Sequence, residues 1–305
     1  MKISKFRTLA LTLVGMSLMA NPAFADDPKF EFGKVEEVKA VKAVEWDASA
    51  EFGLVLTTGN SEVTTMTGGA KASRKTGKNK LAMGVDGTYA QSGIRRARAG
   101  VTTVASAADI ETVDTVSAKN LTGRVRYDRF LTEFNSLFLG LIARTDVPAG
   151  IKVGGSAQAG YSRSLYKSEK YEAVSEIGYD YTFTRFDAAD AKSTNVHSAR
   201  IFAAFKGKMN TATNLDTSIE ALPNLNAFTM PTGDVKIGEA TRVNFHVGIT
   251  SKLTKSLSVN TSLDLKYANR PAPLALPGVT FAAGFTPESA QMDSILKASL
   301  IYSFF

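Results

Sequence analysis

The stretch Leu257-Ser258-Val259-Asn260-Thr261-Ser262-Leu263-Asp264-Leu265-Lys266-Tyr267 sets apolar or β-branched side chains on the odd residues and Ser, Asn, Asp and Lys on the even ones. Consecutive side chains of a strand point to opposite faces of its sheet, so this segment has one oily face and one wet face. Residues 46–56 repeat the pattern: Trp46, Ala48, Ala50, Phe52, Leu54 and Leu56 oppose Asp47, Ser49, Glu51 and Gly53, and only Val55 departs. In 171–183, Tyr171, Ala173, Ile177, Tyr179, Tyr181 and Phe183 oppose Glu172, Glu176, Gly178, Asp180 and Thr182, with Val174 and Ser175 breaking the frame. Between Arg242 and Thr250, Val243, Phe245, Val247 and Ile249 alternate with Arg242, Asn244, His246 and Gly248.

The same template finds twelve segments, near 44–58, 61–74, 78–92, 116–131, 133–146, 151–166, 169–186, 193–207, 211–222, 236–252, 256–269 and 291–305. A strand wet on one side and oily on the other suits the wall of a cylinder in lipid. If the first strand starts in the periplasm, the periplasmic connections are Lys75-Thr76-Gly77, Thr132, Lys167-Ser168, Gly207 to Asn210 and Thr254-Lys255, all short. The outward connections, near 93–115, 187–192, 223–235 and 270–290, are longer, apart from a tight turn at Thr58-Gly59-Asn60. Outer-membrane barrels show this asymmetry. The expected fold is therefore all-β: a single antiparallel transmembrane β-barrel of about twelve strands spanning 44–305, with both termini periplasmic.

Lys2, Lys5 and Arg7 precede an apolar run, Leu9 to Ala20, and then Asn21-Pro22-Ala23-Phe24-Ala25, the form of an export signal cut after Ala25. The run is short for a retained membrane anchor, the alternative reading. Residues 26–43 form a periplasmic leader, either unstructured or a short helix in which Val35, Val38 and Val41 are spaced among Glu36, Glu37, Lys39 and Lys42. The formal charge of +7 includes three from the signal, so it is weak evidence for nucleic acid, and none is expected as a partner. Zero cysteines rule out disulfide scaffolds and cysteine-ligated metals.

Aromatic residues fall at strand ends. Trp46, Tyr127, Tyr161, Tyr171, Phe205, Tyr302 and Phe304 mark the inner ends and Tyr89, Tyr181, Phe183 and Tyr267 the outer ones, as two interfacial girdles require. The chain closes on Leu300-Ile301-Tyr302-Ser303-Phe304-Phe305, which looks like the aromatic signal read by the barrel assembly machinery, although Phe305 adds a residue in the opposite register. The expected partners are that machinery, outer-membrane lipids and, if the lumen is open, a small solute.

Taken together, Trp46 with Ala50-Glu51-Phe52-Gly53, Thr57-Thr58-Gly59-Asn60-Ser61, Asp128-Arg129-Phe130-Leu131-Thr132, Gly160-Tyr161, Glu176-Ile177-Gly178-Tyr179 and Tyr302-Ser303-Phe304 resemble the YdiY-like, or salt-induced, outer-membrane proteins of Gram-negative bacteria, a family of unknown function. The Thr-Gly-Asn turn is the distinctive piece. The resemblance implies an outer-membrane barrel with no cofactor and no catalytic residues to carry over, and Ile94 to Thr112 reads as an insertion that lengthens a loop.

The polar parity of each strand predicts the lumen lining. Asp47, Glu51, Asp86, Asp128, Glu172, Glu176, Asp180, Asp216, Glu220, Asp264 and Asp293 face inward with Lys71, Lys80, Arg124, Arg126, Arg144, Arg200, Lys206, Arg242, Lys266, Lys297 and His246. The signs interleave between neighbouring strands and no ring carries a single sign, so the interior reads either as a salt-bridged structural core or as a narrow solute pore. Two outer loops add candidates. Arg95, Arg96 and Arg98 could meet lipid phosphates, and Leu274 to Phe285, with Phe281 and Phe285, reads as a constriction at the mouth in preference to a patch on the lipid interface. No metal site is expected and an enzyme is not the favoured reading. The distant alternative, a lipid-modifying enzyme, would use His197 with Asn195 and Ser198.

Overall fold

A computed structural model describes residues 44–57, 62–100, 106–147, 150–186, 193–230, 232–271, 273 and 290–304, with backbone alone at 55–57, 62, 94–97 and 107. The proposed signal and leader, the Thr58-Gly59-Asn60 turn and Leu274 to Phe285, including Phe281 and Phe285, lie outside the described residues. The strands are β1 (Glu45–Thr57), β2 (Glu62–Thr76), β3 (Asn79–Ala97), β4 (Ile110–Phe130), β5 (Asn135–Asp146), β6 (Ile151–Lys167), β7 (Tyr171–Phe186), β8 (Thr194–Lys208), β9 (Thr213–Leu222), β10 (Phe228–Met230), β11 (Gly233–Val235), β12 (Arg242–Lys252), β13 (Leu257–Ala268) and β14 (Met292–Ser303).

Twelve of these strands form one closed antiparallel barrel in the order β1 to β9, then β12, β13 and β14, which returns to β1. The seam pairs Ser49 with Ser303 through Phe52 with Leu300, which closes the sheet on itself. At one end the strands join by turns of no more than four residues, and Gly77 supplies the left-handed φ of +56° that the β2–β3 turn requires. The other end carries the long connections, although 58–61 and 147–150 span only four residues each. Among the described residues no helix is long and apolar enough to cross a membrane.

Alternation decides the faces. Ile177 and Leu296 are 64% and 76% exposed on the outside, whereas Glu176 and Arg200 are 3% and 0% exposed within. Charges inside and oily side chains outside invert the arrangement of a soluble domain. The aromatic residues expected at strand ends all have the outward parity, and Tyr171 with Phe205 and Tyr302 with Phe304 pack ring to ring at 6.0 and 5.1 Å.

Three expectations are corrected. The segment 93–115 is not one long loop: β3 runs to Ala97 and β4 starts at Ile110, so the hairpin continues past the barrel wall and both ends of the expected Ile94 to Thr112 insertion, 94–97 and 110–112, are ladder. A register shift between Ala90 and Gln91 slips the parity there, which hides the continuing strand from a period-two template. The tenth barrel strand begins at Arg242 and not near 236, because Gly238 has a φ of +81° and the Asn224 amide ties the segment down, donating to the Lys236 carbonyl at 2.9 Å and accepting from the Ala240 N–H at 2.8 Å. The stretch 223–235 is no bare loop. It folds into the β10–β11 hairpin, with Met230, Val235 and Ala240 in a small apolar cluster.

Inside the wall, Gly160 and Gly178 face each other across β6 and β7. A Cβ on Gly160 would stand 2.7 Å from Phe138 Cζ and 2.5 Å from the Ile177 carbonyl, so the bare backbone is what lets Phe138 lie across β6. Gly160→Val is therefore expected to cost about 1–3 kcal/mol by overpacking. It should lower the temperature at which the folded barrel loses its fast mobility on denaturing gels, while Gly77→Ala, strained only in an open turn, should lower it less.

Candidate functional site

The inward parity of β4 to β9 collects a buried ionic strut. Arg126 on β4 donates through Nε and Nη2 to Asp128 at 2.8 to 3.0 Å, and through Nη2 and Nη1 to Glu176 on β7 at 2.7 and 3.2 Å. Glu176 also accepts from Arg200 Nη1 on β8 at 2.6 Å, and Arg200 Nε donates onward to Glu220 on β9. Asn244 on β12 completes Glu220 at 3.2 Å. The guanidiniums of Arg126 and Arg200 lie 4.3 and 5.3 Å from the centre of the Phe138 ring, and Arg200 lies 4.9 Å from that of Phe202, so the cations rest on aromatic faces as well as on carboxylates. Phe138 and Phe202 are 2% and 6% exposed.

Above this strut, Asp180 accepts from Gln158 Nε2 at 3.0 Å, Thr182 Oγ1 at 2.6 Å, Ser156 Oγ, and Arg242 Nη2 at 3.3 Å from β12. A second cluster forms on β9, β12 and β13. The His246 ring is hydrogen-bonded through Nδ1 to Asp264 and through Nε2 to Asp216 at 2.8 Å, and Lys297 Nζ stands 3.8 Å from Asp264. On the remaining wall, Arg124 pairs with Asp86, Ser299 donates to Glu51 at 2.8 Å, and Lys167 stands 3.9 Å from Glu172.

The structure thus places Glu51, Asp86, Arg124, Arg126, Asp128, Arg144, Glu172, Glu176, Asp180, Arg200, Asp216, Glu220, Arg242, His246, Asp264 and Lys266 on the inner face. It does not bring them into one site: the Arg126–Glu176–Arg200–Glu220 strut, the Asp180 cluster and the His246 cluster are separate assemblies. Missed in the sequence were Phe138 and Phe202, which carry the arginines, and Lys75 and Asp146, buried at 4% and 0%. Arg98 is exposed and its N–H bonds the Asp109 carbonyl at 2.9 Å, while Arg95 and Arg96 stand on β3 opposite Thr112 and Glu111, on a strand and not in a free loop.

His197 lies on the outer face, where its Nδ1 bonds the Tyr179 hydroxyl and its ring packs against Tyr181 at 5.2 Å. Ser198 is 0% exposed and points inward, so the sheet stands between the imidazole and that hydroxyl. The His197–Ser198 arrangement considered for a lipid-modifying enzyme is not formed. Among the described residues no group of three or more His, Cys, Asp or Glu side chains could hold a metal ion.

A barrel closed at twelve antiparallel strands, its interior packed with ion pairs along one arc and its outer face apolar, has the fold of the outer-membrane β-barrel class. The chain belongs to the DUF481 family of proteins of unknown function, whose model matches residues 50–304. No curated protein matches its sequence. Among solved structures it is similar to the COG4313 outer membrane channel from Pseudomonas putida F1, at 12% identity and a TM-score of 0.45 over 92% of this chain and 100% of that one. The NanC porin is similar at 9% identity and 0.43 over 86% and 100%, and the translocator domain of the autotransporter NalP from Neisseria meningitidis at 10% and 0.40 over 86% and 88%.

Removing Glu176 would leave two guanidiniums facing each other without their shared carboxylate. Glu176→Ala is expected to lower the unfolding free energy by about 3–5 kcal/mol, and replacing Arg126 and Arg200 together with Glu176 by apolar residues should recover much of that loss. Denaturant titration followed through the single Trp46 checks both variants.

Proposed function

We propose that this protein is an integral outer-membrane β-barrel serving as a narrow, weakly selective channel for small solutes. Its apolar outer face and aromatic strand ends suit a bilayer, and the export signal ending at Ala25 suits delivery to the outer membrane. In this reading the short turns and both termini are periplasmic, and the final strand, ending at Tyr302, Ser303 and Phe304, is what the barrel assembly machinery takes up. The Thr58-Gly59-Asn60 turn supports placing the chain with the YdiY-like, salt-induced members of its family.

The observation that carries the channel reading is the unequal filling of the interior. On β4 to β9, Arg126, Asp128, Phe138, Glu176, Arg200, Phe202 and Glu220 are all below one-tenth exposed. On β1 to β3 the inward positions Ser49, Glu51, Thr67, Gly69, Lys71, Ser73, Ala82, Gly84, Asp86 and Thr88 are short or charged and are all partly reached by solvent. Solvent therefore reaches the middle of the wall opposite the strut, while Gly53, Lys75, Lys80 and Ala90 on the same face are buried. The mixed charges of that wall, Glu51, Lys71, Asp86 and Arg124, give no strong preference for either sign. The extent of the strut favours a second reading, a structural envelope component whose interior is held shut by ion pairs.

The absence of native cysteine makes the two readings separable. In planar bilayers the protein is expected to give discrete current steps; Ser49→Cys should react with a bulky water-soluble thiol reagent and lose current, whereas Ser198→Cys, shielded behind the strut, should not react. Silence of the unmodified protein would refute the channel. Quenching of Trp46 by brominated acyl chains tests the membrane reading separately.

A further inference from the structure

The outer face sorts charge by sign. Below the β3–β4 extension, none of the described strand side chains that point outward is Asp or Glu, and the outward charges are basic and lie at the strand ends. At the short-turn end these are Arg74 on β2, Arg129 on β4 and Arg163 on β6. Two of them belong to clusters built the same way. Asn79 opens β3 and stands in register with Arg129 on β4, two residues beyond Tyr127; Asn135 opens β5 and stands in register with Arg163 on β6, two residues beyond Tyr161. In each cluster the tyrosine hydroxyl donates to the asparagine amide oxygen, Tyr127 at 2.6 Å, and Arg129 Nη1 shares the Asn79 acceptor at 2.7 Å. Both arginines are exposed. Of the acidic residues of this rim, Glu133 and Glu169 stand in the turns, and Glu45 on β1 and Glu172 on β7 have the inward parity.

We propose that the paired Tyr127–Arg129–Asn79 and Tyr161–Arg163–Asn135 clusters bind the phosphates of anionic phospholipid headgroups at the periplasmic rim. This rests on the outer-membrane reading above. A guanidinium with two N–H groups to spare matches a phosphodiester, and a tyrosine at the same depth suits the boundary between headgroup and acyl chain. The arginines stand on β4 and β6, on either side of β5 and two residues out of step, so their backbones lie about 12 Å apart. Between them Leu137 is 49% exposed, an apolar floor for the chains of a lipid whose head is held on either side. Selection for anionic over zwitterionic heads follows from the missing carboxylates: the described outward strand positions around the clusters carry none to receive an ammonium group, while the arginines favour a net negative charge.

The protein, and a variant with Arg129→Gln and Arg163→Gln, would be inserted into phosphatidylcholine vesicles with or without about one-fifth phosphatidylglycerol, enough to give an anionic surface. Lipid retained after gentle detergent release is read by native mass spectrometry, and insertion by protease protection. The expected result is selective retention of phosphatidylglycerol by the unmodified protein, reduced roughly tenfold in the double variant. It should be unchanged when Lys119 and Arg185, outward at the opposite rim, are replaced by Gln. A protein that inserts fully but retains both lipids alike, or whose selectivity survives the double substitution, overturns the proposal while leaving the membrane reading intact. Failure to insert into either vesicle overturns both.

Discussion

Glu176 accepts hydrogen bonds from two arginines at once, and much of the interior is arranged around that demand. A carboxylate removed from water costs several kcal/mol unless its oxygens are fully engaged, and each arginine that engages it must in turn be neutralised. The result is a chain of alternating sign, Asp128, Arg126, Glu176, Arg200 and Glu220, that crosses from β4 to β9. Its contacts are not confined to adjacent strands: Arg126 reaches over β5 and β6 to β7, and Arg242 on β12 reaches Asp180 on β7. Backbone pairing fixes only neighbours. These struts tie distant parts of the wall together and so constrain the cross-section of the barrel.

The struts also explain where the interior is empty. The arginines need apolar support as well as anions, and Phe138 gives it to two of them by lying across Gly160. Bulk is thereby concentrated on one arc. On the other arc the inward residues are short or charged, and Gly53 sits tight against its neighbours, where an added Cβ would stand 2.5 Å from Thr67 Oγ1 and 3.0 Å from the Ala298 carbonyl. Solvent reaching Ser49, Lys71 and Asp86 but not Arg200 or Phe138 is the direct consequence.

The architecture was legible because β13 alternates so strictly that parity alone assigns its faces, β1, β7 and β12 repeat the pattern with few breaks, and the short turns set the direction of each strand. The strut was legible only in its members. Sign interleaving between adjacent strands correctly suggests that Arg200 lies between acids on β7 and β9, but it cannot show Arg126 crossing to Glu176, because no rule of nearest-neighbour pairing spans an intervening strand. Phe138 was invisible for another reason. Residues 137–142 read Leu-Phe-Leu-Gly-Leu-Ile, apolar on both faces, so parity there has no polar partner to orient it. The β3–β4 extension was hidden by a bulge, and β10 and β11, at three residues each, are too short to show any period.

Inside and outside obey one desolvation rule with different outcomes, and the difference lies in the reach of the side chains as much as in their charge. Within the lumen Asp86, Glu176, Asp180, Asp216, Glu220 and Asp264 each have an arginine, lysine or histidine on another strand, and both signs are stable there. Mid-strand on the described outer face no such partner stands, and a short carboxylate placed there would have no path to water. Arginine differs because its stem can lie along apolar surface while the head reaches the rim. Arg74 over the Trp46 ring, at 5.9 Å, shows this posture. A wall one residue thick therefore admits either sign within, and on its outer side only cations long enough to reach its ends.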